Sequence, residues 1–201
     1  MEERHLIGAE LEIEVRDKNG KLIEHRKQES KSFVKQFIDM LYGLMKAKAG
    51  TENIIDITQP DGTTYGYPNL ISLDKGILTA VADAGVDKSG IVVGSSDEAV
   101  GYDDYNLKSK IANGTGAGQL SYGACVVDTP YKDGTEYKFR IYRTFTNNSG
   151  DTITVKEVGL IVAYRDITRC ALLIRDVLDS PESIPDGATF TVRYYIKIIV
   201  P

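Results

Sequence analysis

The last third of the sequence, residues 137–200, constrains the fold most, because strand-like runs follow one another there in quick succession. The runs cover residues 137–145, 152–162, 170–177 and 190–200. Each is rich in β-branched and aromatic residues, which favour a pleated, half-buried surface. Polar turn segments, among them Asn147–Gly150 and Pro181–Gly187, separate the runs. The pattern predicts strands joined by tight turns, in a region that contains few residues capable of catalysis.

The first fifty residues show two different periodicities. Leu11, Ile13 and Val15 alternate with charged residues, and Asn19-Gly20 is a strong signal for a hairpin turn. From Ser32 to Lys48 the period changes to that of an amphipathic helix, which we expect to dock on a sheet. The apolar positions of this helix are Phe33, Val34, Phe37, Ile38, Leu41, Tyr42 and Met45.

The expected ends of this helix follow from its flanking residues. Ser30 or Ser32 is the predicted N-cap, because a hydroxyl oxygen satisfies free backbone N–H groups of the first turn. Gly50 is the predicted C-terminal stop, because glycine adopts the left-handed conformation that ends many helices. The sequence indicates no other long helix.

Residues 83–124 are the least regular part of the chain, with eight glycines and one compact apolar run at Ile91–Val93. We expect a long excursion over the surface, of the kind that forms binding loops or subunit contacts. Before it, residues 53–57 and 63–73 read as short strands around the turn Pro60–Gly62. Residues 78–82 are ambiguous between strand and helix.

Together these segments predict a mainly β protein with about nine or ten strands. The expected architecture is an antiparallel β-sandwich, jelly-roll-like, with one N-terminal α-helix. We expect a single β-rich domain over residues 1–201, with the hairpin and helix of residues 1–50 as an N-terminal appendage packed on it.

Charge and hydropathy argue against two classes of partner. The net charge of -5 provides no basic field to neutralise phosphates, so we expect no nucleic-acid partner. No run of 18 apolar residues occurs, so we expect no membrane span. The first residues lack the apolar stretch of a secretory signal, which predicts synthesis in the cytoplasm without a signal peptide.

Side chains that usually carry catalysis or bind cofactors are scarce. The two histidines, His5 and His25, lie far from the cysteines in sequence, so neither a His-based metal site nor a Cys-His pair is indicated. Cys125 and Cys170 read as buried thiols, although a disulfide between neighbouring strands stays open. Gly114–Gly118 lacks the Gly-Lys-Ser/Thr ending and the following helix of a phosphate-binding loop. We therefore predict no catalytic residue, no metal and no cofactor.

The densest acidic cluster lies within the glycine-rich excursion and comprises Asp97, Glu98, Asp103 and Asp104. Oxygen ligands on such a loop suit Ca²⁺, but the spacing of a twelve-residue calcium loop is absent. We interpret the cluster as a solvated loop. The 12 tyrosines exceed the five phenylalanines, and tyrosine suits half-exposed sheet faces and interfaces.

Three segments of the second half of the chain form a recognisable set. Residues 139–162 contain a strand that ends in Asn-Asn-Ser-Gly and a second strand that ends in Lys156-Glu-Val-Gly-Leu160. Residues 173–181 and 184–194 form a predicted hairpin, and residues 91–107 contain a glycine-bearing loop followed by an Asp-Asp-x-x-Leu element. The set resembles the strand ends, the closing hairpin and the variable glycine loop of virion structural proteins of tailed bacteriophages and archaeal viruses. The likeness covers residues 90–200.

This resemblance implies a noncatalytic virion component, capsid-associated or of tail or fibre-base type, that forms a symmetric homo-oligomer and contacts other virion proteins. Exposed sheet edges also need covering, and oligomerisation is one way to do so. The C-terminal run reads either as a strand buried on both faces or as the central strand of a monomer. The candidate subunit-interface residues are Phe33, Phe37, Leu41, Tyr102, Tyr105, Leu107, Tyr194 and Tyr195.

Two other functions stay open at this stage. The tyrosines and the Asp103-Asp104 loop are compatible with a sandwich-type carbohydrate-binding or adhesion module, which a virus would use for host attachment. A hydrolase with paired carboxylates rests only on the number of acidic residues.

Overall fold

The computed structural model describes residues 7–30, 33–46, 55–67, 79–164 and 169–199. These residues form eleven β-strands and one α-helix, α1 (Lys35–Lys46). The strands are β1 (Ile7–Arg16), β2 (Leu22–Glu29), β3 (Ile55–Thr58), β4 (Thr64–Tyr67), β5 (Gly90–Gly94), β6 (Ser121–Val127), β7 (Tyr131–Asp133), β8 (Glu136–Thr146), β9 (Ile153–Tyr164), β10 (Arg169–Ile184) and β11 (Thr189–Ile199). All hydrogen-bonded neighbours among these strands are antiparallel, which confirms the prediction of a mainly antiparallel β protein.

The N-terminal hairpin forms where the alternating pattern predicts it. The Asp17 carboxylate accepts hydrogen bonds from the backbone N–H groups of Asn19 and Lys21, at 2.8 and 2.9 Å. Gly20 has φ of 81°, which glycine adopts without strain. β1 also pairs with β11 along its whole length, so the hairpin is an integral part of a sheet.

The larger sheet has the strand order β2-β1-β11-β8-β6, with β7 added beside β8. β11 lies between β1 and β8 and is therefore an interior strand of the chain's own sheet. Its Phe190, Val192 and Tyr194 are fully buried, whereas Arg193 and Tyr195 on the opposite face are partly exposed. Burial on both faces, one of the two interpretations of the C-terminal run, is thus not what the structure shows.

The smaller sheet has the order β10-β9-β5. All of β5 and the second half of β9 are buried, so this sheet is covered on both faces. One face meets the larger sheet, where the Tyr194 hydroxyl donates a hydrogen bond to Asp176 of β10 at 3.0 Å. The two sheets are open and their arrangement is consistent with a β-sandwich, whereas a jelly-roll topology is not confirmed.

Arg143 of β8 links the two sheets from inside the core. Its side chain is fully buried, and burial lowers the pKa of its guanidinium. Five backbone carbonyls accept its hydrogen bonds at 2.6–3.2 Å: those of Gly123, Asp83, Val86, Ser89 and Ile91. The guanidinium also lies over the Tyr122 ring, 4.8 Å from its centroid. This one residue therefore fixes the irregular segment 83–91 against the larger sheet.

Helix α1 is confirmed, but it begins later than the periodicity indicates. Phe33 forms an isolated antiparallel bridge with Ile174, and the Val34 N–H donates to the Leu173 carbonyl, so both residues extend the edge of β10. The Ser30 hydroxyl donates to Asp176 instead of capping the helix. Ser32, Lys48 and Gly50, which were predicted as helix ends, lie outside the described residues.

The β3–β4 hairpin confirms the predicted turn at Pro60–Gly62, and Gly62 has φ of 85°. Ile57 of β3 is fully buried. Of the ambiguous residues 78–82, Thr79 bridges to Ala163 of the smaller sheet and Ala82 bridges to Cys125 of the larger one. This short extended segment therefore connects the two sheets.

Candidate functional site

The face of the smaller sheet that points away from the larger sheet is covered by two pieces, segment 95–111 and the β3–β4 hairpin. We call them the outer layer. The Asn106 side-chain amide donates to the Pro60 carbonyl at 3.0 Å, which joins the two pieces. Helix α1 lies beside them, because the Lys35 N–H donates to the Tyr102 carbonyl at 2.7 Å. Segment 95–111 belongs to the glycine-rich excursion in which subunit contacts are predicted.

A buried ion cluster, formed by Glu157, Arg175 and Asp104, holds segment 95–111 on the smaller sheet. The side chains of Glu157 and Arg175 are fully buried, and that of Asp104 is 4% exposed. Arg175 Nε donates to Glu157 Oε2 at 2.8 Å, and Arg175 Nη1 donates to Asp104 Oδ2 at 2.9 Å. Each buried charge thus has an opposite charge beside it, which such burial requires.

Asp104 stays ionised in this setting. Burial opposes its charged form, but hydrogen bonds from Lys108, from the Gly101 N–H and from Arg175 outweigh that effect and lower its pKa below the ordinary value. The Lys108 ammonium lies 2.9 Å from Asp104 Oδ1, on the solvent side of the cluster. Asp104 therefore links a buried arginine to an accessible lysine.

Two glycines make room for this packing. A Cβ on Gly159 would lie 2.9 Å from Leu107 Cδ2, and one on Gly94 would lie 2.5 Å from Glu157 Oε1. Contacts this short do not occur between real side chains, so the outer layer needs a bare backbone at both positions. Leu107, one of the predicted interface residues, fills the space above Gly159 and is only 5% exposed.

The buried ion cluster brings together the three segments that carry the resemblance. Asp104 and Leu107 belong to the Asp-Asp-x-x-Leu element, Glu157 and Gly159 to the Lys-Glu-Val-Gly-Leu strand end, and Arg175 to the closing hairpin. These residues are distant in sequence, yet Arg175 contacts both carboxylates and Leu107 packs toward Gly159. The quoted residues therefore have one shared structural role.

Large apolar side chains are exposed on α1 and on the outer layer. On α1, Ile38 is 59% and Leu41 is 43% exposed; on segment 95–111, Tyr102 is 76% and Tyr105 is 45% exposed. Leu41, Tyr102 and Tyr105 are predicted interface residues, and the structure places them on elements that contact each other. Ile38 was predicted to lie on the docked stripe of the helix, but it points to solvent.

The other predicted interface residues lie elsewhere. Tyr194 is fully buried in the chain's own core, so its side chain is not available to a second subunit in this structure. Tyr195 is partly exposed on the larger sheet, with the ammonium groups of Lys27 and Lys138 5.4 and 5.5 Å from its ring centroid. Alternation along β11 separates these adjacent tyrosines, because successive side chains point to opposite faces.

Phe33 and Phe37 are partly buried and stack on each other with ring centroids 4.3 Å apart. They form one side of an apolar cavity of ≈ 370 Å³ between the two sheets, which Ile141 and Leu160 also line. Among the described residues that line it, Thr79 is the one with a polar side chain, and its hydroxyl accepts a hydrogen bond from the Val81 N–H. The described lining is therefore almost entirely apolar.

Among the described residues, one histidine and two cysteines remain to be placed. His25 lies 3.2 Å from a Glu12 carboxylate oxygen on the larger sheet. Cys125 and Cys170 are free and buried, and burial raises the pKa of both thiols. Among the described residues, no group of three or more His, Cys, Asp or Glu side chains is placed to hold a metal ion.

Comparisons with protein-family models, with curated proteins and with solved structures gave no match. Within the described part of the chain, α1 is the single helix, and at 12 residues it is too short to cross a bilayer.

Sequence reasoning did not identify the buried ion cluster. A signal was present, because Glu157 directly precedes the mostly apolar run 158–162 and Arg175 directly follows the apolar run 170–174. Such residues are rarely fully buried unless they are paired, so each one predicts a partner. The partner's identity depends on strand register and on the path of segment 95–111.

Proposed function

We propose that the protein is a noncatalytic structural component of a virus particle, capsid-associated or of tail or fibre-base type, that assembles as a symmetric homo-oligomer. Within this proposal the fold is a jelly-roll-like sandwich, and the partners are further copies of the chain and other virion proteins. The observation that carries the assembly part is the exposure of Ile38, Leu41, Tyr102 and Tyr105 on α1 and segment 95–111.

Exposed aromatic and aliphatic side chains on one side of a domain favour a protein interface, because association removes their surface from water. Charge favours the same region, since the Asp104 carboxylate is neutralised by Arg175 from the core side and by Lys108 from the solvent side. The virion part is supported by the three segments that resemble virion proteins and that meet at the buried ion cluster. The buried charged side chains of that cluster are engaged in structural ion pairs, which supports a noncatalytic role.

Mass photometry and light scattering across nanomolar to micromolar concentrations test the assembly part. We expect one defined oligomer, whose dissociation constant rises about tenfold or more in Ile38→Asp and in Tyr102→Ala, as for central interface residues. The matched control is Ile23→Asp on β2, which replaces a comparably exposed isoleucine, 51% exposed, on the larger sheet. A monomer at every concentration, or equal weakening by the control, overturns the assembly part.

The genomic neighbourhood tests the virion part. We expect the coding sequence to lie among capsid or tail genes, and mass spectrometry of the purified particles to detect the protein. A locus without virion genes contradicts this part of the proposal and leaves the assembly result intact.

A second candidate function is carbohydrate binding for host attachment. It is favoured by Tyr102 and Tyr105, two exposed rings on one loop with the exposed Asp103 beside them. Aromatic faces and carboxylates together suit sugar rings and their hydroxyl groups. A glycan array with and without Ca²⁺ tests this candidate function. We expect glycan binding that Tyr102→Ala abolishes. If no glycan binds in either condition, carbohydrate binding is excluded.

A further inference from the structure

We infer that the buried ion cluster positions segment 95–111 before any partner binds, so that the proposed interface is preformed instead of being ordered by assembly. This inference rests on the proposed function for its consequence, but the order of the segment is measurable without it. Glu157, Arg175 and Asp104 are in this view positioning residues, because they act through the segment that carries Tyr102 and Tyr105.

Arg175 holds the first half of the segment at several points. Its Nη2 donates to the Glu98 carbonyl at 2.9 Å, and its Nη1 donates to the Ala99 carbonyl at 3.3 Å and to Asp104 Oδ2 at 2.9 Å. The rigid planar guanidinium directs these bonds along fixed lines. The backbone on both sides of Tyr102 is therefore attached to one fully buried group of β10.

Glu157 holds the second half. Its Oε1 accepts a hydrogen bond from the Ser109 N–H at 2.7 Å, and its Oε2 accepts one from the Lys108 N–H at 3.2 Å. The Ser95 N–H also donates to the Ser109 carbonyl at 2.8 Å, which closes the base of the segment. The attachments thus lie at the start, middle and end of the segment.

The turn that presents the tyrosines depends on the same cluster. Asp104 Oδ2 accepts from the Gly101 N–H at 2.9 Å, and the Asp104 N–H donates to the Gly101 carbonyl at 3.1 Å. These two bonds close a tight turn with Tyr102 at its tip. Tyr105 follows Asp104 directly, so one anchored carboxylate fixes the position of both rings.

Apolar burial alone does not hold the segment. Within residues 95–111, the buried apolar side chains are Leu107 and Ile111, and Val100 is partly buried. Ordering a segment of this length costs much conformational entropy, and so few apolar contacts offset only a small part of that cost. Buried ion pairs add little net stability compared with apolar replacements, and their best-attested use is to specify one conformation. Ordering in advance then reduces the cost of association, because a fixed loop has less freedom to lose.

Hydrogen exchange of the dilute protein tests the inference. The first variant, Glu157→Leu with Arg175→Met, removes both charges of the pair and keeps apolar volume in the core. We expect it to remain folded with a similar melting temperature, while amides of residues 95–111 exchange about tenfold or more faster. The second variant, Asp104→Asn, leaves the Glu157–Arg175 pair intact, and we expect faster exchange centred on residues 101–105.

The matched control is Arg193→Met, which removes an arginine that pairs with Glu12 and Glu14 on the larger sheet, at 3.1 and 3.5 Å. We expect it to leave exchange in residues 95–111 unchanged. Unchanged exchange in both test variants overturns the inference. A wild-type protein that stays monomeric overturns the proposed assembly only, since the exchange comparison still shows whether the cluster orders the segment. With oligomeric wild type, weaker association of Asp104→Asn supports preformation, and unchanged association with faster exchange contradicts it.

Discussion

The outward-facing sides of the two sheets carry similar charges in opposite settings. On the larger sheet, Lys27 pairs with Glu10 and Glu12 at 3.1 and 3.3 Å, and its side chain is 52% exposed. On the smaller sheet, Arg175 and Glu157 pair at 2.8 Å with no exposure. Water competes with the first pairs and is excluded from the second. On the larger sheet, therefore, an ion pair such as that of Lys27 lies at a water-accessible surface. On the smaller sheet, the buried pair attaches a further layer of the chain to the sheet.

Of the changes considered, we expect the removal of one partner of the buried pair to lower the free energy of unfolding the most. Glu157→Ala leaves the Arg175 guanidinium buried without its closest counter-charge. We expect the free energy of unfolding to fall by about 3–5 kcal/mol, measured by denaturant titration. The matched control is Glu136→Ala on the larger sheet, whose carboxylate pairs with Lys138 and Lys197 at 2.9 and 3.0 Å and is 25% exposed. A loss below about 1 kcal/mol for Glu157→Ala shows that the pair is not desolvated.

Adding a single methyl group tests whether the smaller sheet is covered on both faces. Gly159→Ala places a Cβ 2.9 Å from Leu107 and 3.3 Å from the Ile174 carbonyl, so we expect a loss of about 1–3 kcal/mol from overpacking. Gly8→Ala on β1 meets nothing within 4 Å and serves as the control. Equal thermal melting of the two variants contradicts the close approach of the outer layer.

The contribution of the buried ion cluster to stability depends on pH, because the pKa of Asp104 is lowered in the folded state. A lowered pKa means that the stabilisation is fully present above the pKa of the unfolded state, about 3.9, and is lost as the pH falls through the folded pKa. We therefore expect wild type and Asp104→Asn to differ in stability between pH 5 and 8, the gap to narrow as the pH falls below about 4, and the two to converge only below the lowered folded-state pKa. Thermal melting at each pH measures the gap, and a gap that persists in acid contradicts the assignment.

The smallest effect belongs to the exposed pairs of the larger sheet. For Lys27→Ala we expect a change below about 1 kcal/mol, because the Lys27 side chain is 52% exposed and because Glu10 and Glu12 keep Lys197 and Arg193 as partners. That change shrinks further near ~1 M salt, where screening acts within about 3 Å. A change that is large or independent of salt means that this face is drier than its exposure indicates.

Local patterns predicted the elements, and long-range contacts decided the rest. The Asn19-Gly20 turn and the strand alternation are short-range signals, so the hairpin and the antiparallel β class followed from the sequence. Periodicity did not show that Phe33 extends the edge of β10, because its partner Ile174 is distant in sequence. The boundary of α1 was wrong for this reason.

The exposure of the candidate interface residues was predicted in part. Tyr102 and Tyr105 are exposed, in agreement with their place in a glycine-rich loop. Leu107 and Tyr194 are buried, because one fills the space above Gly159 and the other reaches Asp176 across the core. Neither contact leaves a local trace in the sequence. Exposure at single positions follows from how layers stack, which periodicity alone does not determine.

The way in which Arg143 is bound has a consequence for how this protein tolerates sequence change. Its five acceptors are all backbone carbonyls, which every amino acid possesses. Substitutions at Asp83, Val86 or Ser89 therefore preserve the acceptors, provided that the backbone keeps its path. Arg143 itself has no substitute, since lysine has three donors and lacks the planar fork. A deep mutational scan is expected to show an intolerant arginine opposite tolerant exposed positions such as Asp83, Ala84 and Lys88, a route by which the surface of this region diversifies while the fold persists.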